Sequence, residues 1–178
     1  MIQRIQSVWL LLAACCMAVC FLFPVAQYHM TLPATGQKVD AELNLVARDN
    51  PEMWDQLQNM APEVTYSQKA SGFHSWPLAA MAALTAAVAL AAIFAYRNRP
   101  AQMRVVAVAF LLNVVYVFLL FFWAVDAYGK AVHMSGSDMQ VVWHVGAYAP
   151  IVSLVLFILA HRGIKRDEAR VRAADRLR

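Results

Sequence analysis

Four long apolar runs without charged residues dominate this sequence. They cover residues 7–26, 77–96, 105–125 and 141–160, and none contains Lys, Arg, Asp or Glu. Each run is close to the ~20 residues with which an α-helix crosses ~30 Å of hydrocarbon. A soluble chain of 178 residues, 61% of them hydrophobic, has too little interior to bury so much apolar surface. The sequence therefore predicts a bundle of four transmembrane helices.

The first run could also be read as a cleaved secretory signal, because it follows a basic start and contains small residues. Cleavage at Cys15 would leave only residues 8–12 as the apolar region of a signal. The apolar run instead continues past Cys15 to Phe23. We therefore expect the run to be retained as a span. The three cysteines, Cys15, Cys16 and Cys20, all fall inside it, where free thiols act as small apolar side chains.

The distribution of basic residues predicts how the helices are oriented. Lys and Arg accumulate on the cytoplasmic side of membrane proteins. Of the fifteen in this chain, eleven lie before the first run, between the second and third runs, or after the fourth. The largest group is in the tail at 161–178: Arg162, Lys165, Arg166, Arg170, Arg172, Arg176 and Arg178. We expect both termini in the cytoplasm, with a helical tail near anionic lipid headgroups.

The segment 27–76, between the first two runs, is the longest polar stretch and is predicted to fold outside the cytoplasm. Apolar and polar residues alternate over 39–45, as in a strand with one covered face, and a second short strand is predicted at 64–67. Asn50 can cap a short amphipathic helix with an apolar stripe at Met53, Trp54, Leu57 and Met60. The predicted fold class is an all-α membrane protein with this small insert between helices 1 and 2.

Small and polar residues inside the runs indicate how the helices pack. The second run has an alanine at every fourth position, a pattern that lets helix backbones approach closely: Ala79, Ala83, Ala87 and Ala91. This face is predicted to pack within the monomer or against another subunit. Asn113 is predicted to form a hydrogen bond between helices, and Gly146 with Pro150 to kink the fourth helix.

Four histidines are predicted near the extracytoplasmic face: His29, His74, His133 and His144. Imidazoles at one level can ligate a metal or a haem. No pair has the i, i+4 spacing of ligands on one helical face, and only His144 falls within a predicted span. The pattern therefore favours interfacial or hydrogen-bonded histidines over a metal centre.

The two ends of the chain resemble a known family. Residues 1–13 read MIQRIQSVWLLLA, and residues 162–178 read RGIKRDEARVRAADRLR. Together with His144, Gly146 and Pro150, these segments resemble the small four-pass membrane proteins grouped as domain of unknown function 4293, typical of Bacteroidetes. The resemblance implies an inner-membrane location and no established activity.

Three hypotheses on function remain open at the level of the sequence. The favoured one is a non-enzymatic scaffold or accessory protein with a membrane or cytoplasmic protein partner, no cofactor and no nucleic acid; an oligomer is compatible with it. The second is a haem- or metal-binding redox subunit that uses the outward-facing histidines. A small transporter is less favoured, because no charged residue lies within a run to couple ions.

Overall fold

The computed structural model describes residues 2–31, 38–46, 75–132 and 138–176. The strand predicted at 64–67, the amphipathic helix after Asn50, His74, His133 and Arg178 lie outside the described residues.

Helices make up most of the described structure. They are α1 (Ile2–Leu22), α2 (Trp76–Phe94, followed by a 3-10 turn at Ala95–Arg97), α3 (Arg99–Phe118), α4 (Val125–Val132) and α5 (Val145–Arg176). A π-helical segment, Leu119–Ala124, joins α3 to α4, so that the third span runs on to the end of α4. Four spans, namely α1, α2, α3 with α4, and α5, are long and apolar enough to cross a membrane.

Three short strands form one antiparallel sheet: β1 (Ala26–Thr31), β2 (Lys38–Leu43) and β3 (Asp138–Trp143). The spatial order is β2-β1-β3, so β1 pairs with both neighbours. In this register, His29 of β1 lies opposite Asp40 of β2 on one side and opposite Gln140 of β3 on the other. Because β1 follows α1 and β3 precedes α5, the sheet joins the end of the first span to the start of the last.

The four spans pack in a ring. Helix α1 contacts α2 and α5, and α3 contacts the same two helices. One cluster of buried apolar residues lies beneath the sheet and includes Met17, Tyr28 and Leu120. A second cluster, which includes Leu10 and Phe157, lies toward the opposite end. We call these the sheet end and the basic end of the bundle, because Arg99, Arg104, Arg162, Lys165, Arg166 and Arg170 are at the latter.

Proline and asparagine set the helix boundaries. Pro24 follows the end of α1, as expected from the restriction that proline places on the preceding residue. Both α2 and α3 carry a proline in the first turn, where its missing N–H costs no hydrogen bond. The Asn98 side chain caps α3 by accepting from the backbone N–H of Ala101 at 3.3 Å.

Two predicted span limits are wrong. Residues 141–143, assigned to the fourth span, belong to β3, and His144 precedes α5 instead of lying within it. The first helix ends at Leu22, four residues before the predicted limit of 26. A short apolar run such as Val141-Val142-Trp143 fits a strand or a helix equally well, and here pairing with β1 decides between them.

The insert is also more than a loop between the first two helices. Two of its segments form strands, and the strand predicted over 39–45 is observed at Lys38–Leu43 with Ala41 and Leu43 buried. The third strand comes from the connection between the third and fourth spans. The fold is therefore not purely α: a helical bundle carries a small sheet built from two separate connections.

The alanine stripe of α2 does not face the bundle interior. Ala83, Ala87 and Ala91 are exposed and Ala79 is only half-buried. The buried stripe of this helix is instead Leu78, Ala82, Thr85, Ala89 and Ala92. Of the four alanines, Ala79 packs against the cluster beneath the sheet, whereas Ala83, Ala87 and Ala91 do not pack within the monomer, because the helix is rotated so that the neighbouring positions meet α1 and α3. Packing of the exposed alanines against another subunit stays a prediction.

The outward surface of the spans is apolar. Large side chains such as Leu22, Phe94, Leu111 and Phe122 are between 61% and 79% exposed. A soluble protein does not expose so many large apolar side chains together, whereas a membrane protein turns them toward lipid.

Gly146 allows the close approach of α5 to the end of α1. A Cβ at this position would lie 2.6 Å from the carbonyl oxygen of Pro24 and 2.8 Å from that of Phe23. Both atoms belong to the backbone, so neither can turn away as a side chain would.

We predict that Gly146→Ala destabilises the protein by about 1 to 3 kcal/mol, the usual cost of overpacking, as measured by denaturant titration in detergent micelles. Gly163→Ala is the matched control, because a Cβ there would lie no closer than 3.0 Å to its nearest neighbour and would meet only side-chain atoms, those of Gln6. An equal or smaller loss in Gly146→Ala than in Gly163→Ala would contradict the close packing of α5 on Pro24.

Candidate functional site: the polar face of the sheet

The sheet has one face toward the bundle and one away from it. Along β1, Ala26, Tyr28 and Met30 are buried, whereas Gln27 and His29 are half-buried. Directly opposite residues in antiparallel strands point to the same side. The outward side, here called the polar face, therefore consists of Gln27, His29, Thr31, Lys38, Asp40, Glu42, Gln140 and Val142.

His29 and Asp40 form a cross-strand pair on the polar face. Their Nδ1 and Oδ1 atoms are 2.5 Å apart, and the two side chains are 38% and 51% exposed. The carboxylate orients the imidazole, and the pair lies at the middle of the strands. Because both groups face solvent, the pair defines surface shape and charge more than it adds stability.

His144 contacts the same face from its other end. Its Nε2 lies 3.0 Å from Oε1 of Gln27, and its backbone N–H donates to the carbonyl of Val25 at 3.0 Å. The register places His29 opposite Gln140, four residues before His144, which corresponds to about 13 Å along a strand. The structure therefore does not bring these two histidines together.

The described residues contain no group of three or more His, Cys, Asp or Glu side chains arranged to hold a metal ion. Since His74 and His133 lie outside them, the metal or haem hypothesis stays a prediction. An absorption spectrum and metal analysis of purified protein, repeated on His144→Ala, test it directly.

Two tyrosines attach the inner face of the sheet to the bundle. The Tyr28 hydroxyl donates to the carbonyl of Val125 at 2.7 Å, and the Tyr128 hydroxyl donates to the carbonyl of Glu42 at 2.9 Å. Their ring centroids are 5.2 Å apart in a tilted arrangement. Gly129 leaves room for this pair, because a Cβ there would be 3.2 Å from the Tyr28 ring. Each tyrosine thus makes a hydrogen bond between the sheet and α4.

Charge at the sheet end is mixed. Asp40 and Glu42 lie on β2, while Asp126 of α4 pairs with Lys130 at 2.5 Å. Burial raises the pKa of the Tyr28 phenol above its ordinary value near 10, and the nearby Tyr128 and Asp126 add to this effect. The neutral phenol, which can donate its proton to Val125, is therefore the form that the fold stabilises.

Within the bundle, buried polar side chains make contacts between α3 and α5. Nδ2 of Asn113 donates to the carbonyl of Pro150 at 3.1 Å and contacts the Ser153 hydroxyl. Ser153 in turn donates to Pro150 O at 2.7 Å, and its oxygen lies 3.5 Å from the sulfur of Met17. All of these groups are buried, so α1, α3 and α5 meet at this point.

Pro150 lies within α5, in its second turn. Because proline has no N–H, the carbonyl of Gly146 loses its helical donor, and the thiol of Cys20 lies 3.6 Å from that oxygen. Helix α5 continues through Pro150 from Val145 to Arg176, and Cys20 of α1 supplies a contact to the carbonyl that proline leaves without a donor. A kink at Gly146 and Pro150 stays a prediction.

At the basic end, polar contacts also join the helices. Nε2 of Gln6 donates to Oδ2 of Asp167 at 2.8 Å, and a guanidinium nitrogen of Arg99 donates to the Asp167 carbonyl at 3.3 Å. Nε2 of Gln102 donates to the Ala92 carbonyl at 3.1 Å.

The predicted tail is a continuation of α5, which runs without a break to Arg176. Within it, Arg162, Lys165, Arg166 and Arg170 are exposed. Arg172 and Arg176 are part of the helix, without a described position for their side chains. These cations follow the apolar part of the helix directly, as the tail of a membrane-spanning helix does at a charged lipid surface.

Sequence reasoning missed β1, β3 and the two tyrosines. A signal for β1 was present, because Ala26, Tyr28 and Met30 alternate with Gln27 and His29. That alternation was hidden by the preceding apolar run. No comparable signal exists for β3, whose sequence continues into the apolar part of α5.

Four apolar spans in a ring, capped at one end by a small sheet, place the chain among helical multi-pass membrane proteins. The chain belongs to the family described as domain of unknown function 4293, whose model matches residues 2–177. No curated protein and no solved structure matches the chain. The resemblance inferred from the two terminal segments is confirmed, and it extends over nearly the whole chain.

We predict that Tyr28→Phe lowers the free energy of unfolding by about 0.5–1.5 kcal/mol at neutral pH, because it removes the bond to Val125. The raised pKa contributes stability that is complete below about pH 10, where the unfolded phenol begins to ionise, and is lost as pH rises further. The stability of the wild-type protein should thus fall more steeply than that of Tyr28→Phe above this pH.

Denaturant titration between pH 7 and pH 11 measures both effects. Tyr96→Phe is the control, since this tyrosine is 49% exposed and lies at the other end of the bundle. Parallel pH profiles for the wild-type protein and Tyr28→Phe would contradict the proposed role of the buried phenol.

Proposed function

We propose that this protein is a non-enzymatic interaction protein of the bacterial cytoplasmic membrane, which presents the polar face of its sheet to a partner protein outside the cytoplasm. The observation that carries this proposal is the attachment of the sheet. Two strand ladders hold the three strands together, and two tyrosine hydrogen bonds attach the sheet to the bundle. A surface fixed in this way loses little conformational freedom on binding, which favours recognition.

The composition of the polar face supports a protein partner. It combines a histidine, two carboxylates and two amide side chains, namely His29, Asp40, Glu42, Gln27 and Gln140, all on short strands with defined register. Groups of this kind make directional hydrogen bonds and select a partner by charge and geometry. Among the residues that the structure describes, β2 and β3 are the edge strands of the sheet, and an extended segment of a partner can pair with such an edge.

The proposed orientation places both termini in the cytoplasm. Its support is the separation of charge between the ends of the bundle. The described cations at the basic end include Arg99, Arg104 and the exposed part of the tail, whereas Lys38 and Lys130 are those of the sheet end. Under the positive-inside rule the sheet then lies outside the cytoplasm, and the tail meets anionic headgroups on the inner surface.

Site-specific photo-crosslinking in native membranes tests the partner. A photoreactive residue replaces Gln140, which is exposed on the polar face. The matched control replaces Phe122, which is 71% exposed on the apolar surface of the third span. We expect a discrete protein adduct from position 140 that is absent from position 122.

Charge reversal on the same surface makes the test specific. Asp40→Lys should remove most of the adduct from position 140, because this substitution reverses the charge beside His29. Asp126→Lys is the control, since Asp126 is also exposed at the sheet end but pairs with Lys130 of α4. Equal adducts from positions 140 and 122, or adducts that Asp40→Lys leaves unchanged, would contradict the proposal.

A further inference from the structure

A groove lies between α3 and α5 at the basic end. Its volume is about 300 Å³, at the lower limit of small-molecule pockets. Its apolar lining comes from both helices: Val106, Ala107, Phe110, Phe157 and Ile158. Val106 and Phe157 form the buried floor, whereas Ile158 is 40% exposed at the margin. The groove is thus an apolar depression in the surface that faces lipid.

Basic side chains surround one end of this groove. His161 and Arg162 are part of its lining, one turn beyond Phe157 and Ile158. Arg104 lies one helical turn before Ala107 on α3, and Lys165 lies one turn after Arg162 on α5. Arg104, Arg162 and Lys165 are all exposed. The two helices run in opposite directions, so Arg104 on α3 and Arg162 and Lys165 on α5 all lie toward the same end of the groove.

This combination of an apolar depression and a cationic end matches one class of ligand. An anionic phospholipid has an acyl chain for the apolar part and a phosphate for the basic part, and basic pockets between transmembrane helices bind such headgroups. Arginine donates several hydrogen bonds in a geometry that suits phosphate oxygens. A zwitterionic lipid offers the same chain but adds a cation close to Arg162.

A second copy of the chain fits this groove less well. Copies in one membrane share one orientation, so two copies that meet at this face bring Arg104, Arg162 and Lys165 of each to the same depth. Like charges at short separation repel, and salt screens this repulsion least where the charges lie close to apolar surroundings. The charge distribution therefore favours an anionic occupant over a symmetric contact.

We propose that the groove between α3 and α5 binds one anionic phospholipid, with an acyl chain along Val106, Ala107 and Phe157 and its phosphate at His161 and Arg162. This is a discrete site, distinct from diffuse attraction of headgroups to the tail. It is independent of the partner proposed for the polar face, which lies at the other end of the bundle.

Native mass spectrometry of the detergent-released protein tests the site with two lipids of identical acyl chains, phosphatidylglycerol and phosphatidylcholine. We expect one phosphatidylglycerol per chain to be retained at detergent conditions that remove phosphatidylcholine. Arg162→Gln should weaken this binding about five- to tenfold, in line with the contribution of one cation near a lipid phosphate. Arg170→Gln removes the same charge two turns further along α5 and should leave the binding nearly unchanged.

Filling the groove tests the apolar half of the proposal without a change of charge. Ala107→Phe should abolish the retained lipid, whereas Val115→Phe, on the lipid-facing surface of α3 outside the groove, should not. If Ala107→Phe fails to fold, as judged by circular dichroism and gel filtration, Ala107→Leu provides the same comparison.

Three outcomes would overturn the proposal. Equal retention of the two lipids would show no preference for an anion. Equal losses in Arg162→Gln and Arg170→Gln would indicate diffuse electrostatic attraction to the tail. Retention that survives a folded variant with a filled groove would place the lipid elsewhere. None of these outcomes affects crosslinking at the polar face, so the two proposals fail separately.

Discussion

The pairing of β1 with both of its neighbours is the constraint on which the rest of the structure depends. The chain leaves α1 through Pro24 and Val25 and enters α5 through His144, so the strands fix where these two helices can lie. Val25 donates to Leu43 at 2.9 Å, and Gly146 donates to Pro24 at 3.1 Å. Non-helical backbone near a membrane needs such partners, because an unsatisfied N–H or C=O is costly there.

Once α1 and α5 are held side by side, polar side chains on the two helices come within contact distance of each other at several levels of the bundle. The Ser153 hydroxyl reaches Met17, and Gln6 reaches Asp167 some distance along the same pair of helices. Asn113 adds α3 to the first of these contacts. Lipid gives no hydrophobic drive for helices to associate, so close packing and hydrogen bonds at defined depths determine which helices are neighbours.

The sequence predicted the four spans well and the sheet poorly, for identifiable reasons. Span identity depends on length and absence of charge, which are local properties, and all four were found. The pairing of β3 with β1 joins segments more than a hundred residues apart, which no local pattern encodes. The rotation of α2, which turns Ala83 outward, depends on its neighbours in the same way. His144 was misplaced because an apolar strand preceded it.

Residue-resolved hydrogen exchange in lipid nanodiscs tests the central role of β1 most directly. The backbone N–H groups of a central strand alternate between its two neighbours. The account predicts that every amide from Gln27 to Met30 is protected, because β2 and β3 both pair with this strand. Fast exchange of alternate amides would mean that only one neighbour pairs with β1, and would contradict the account.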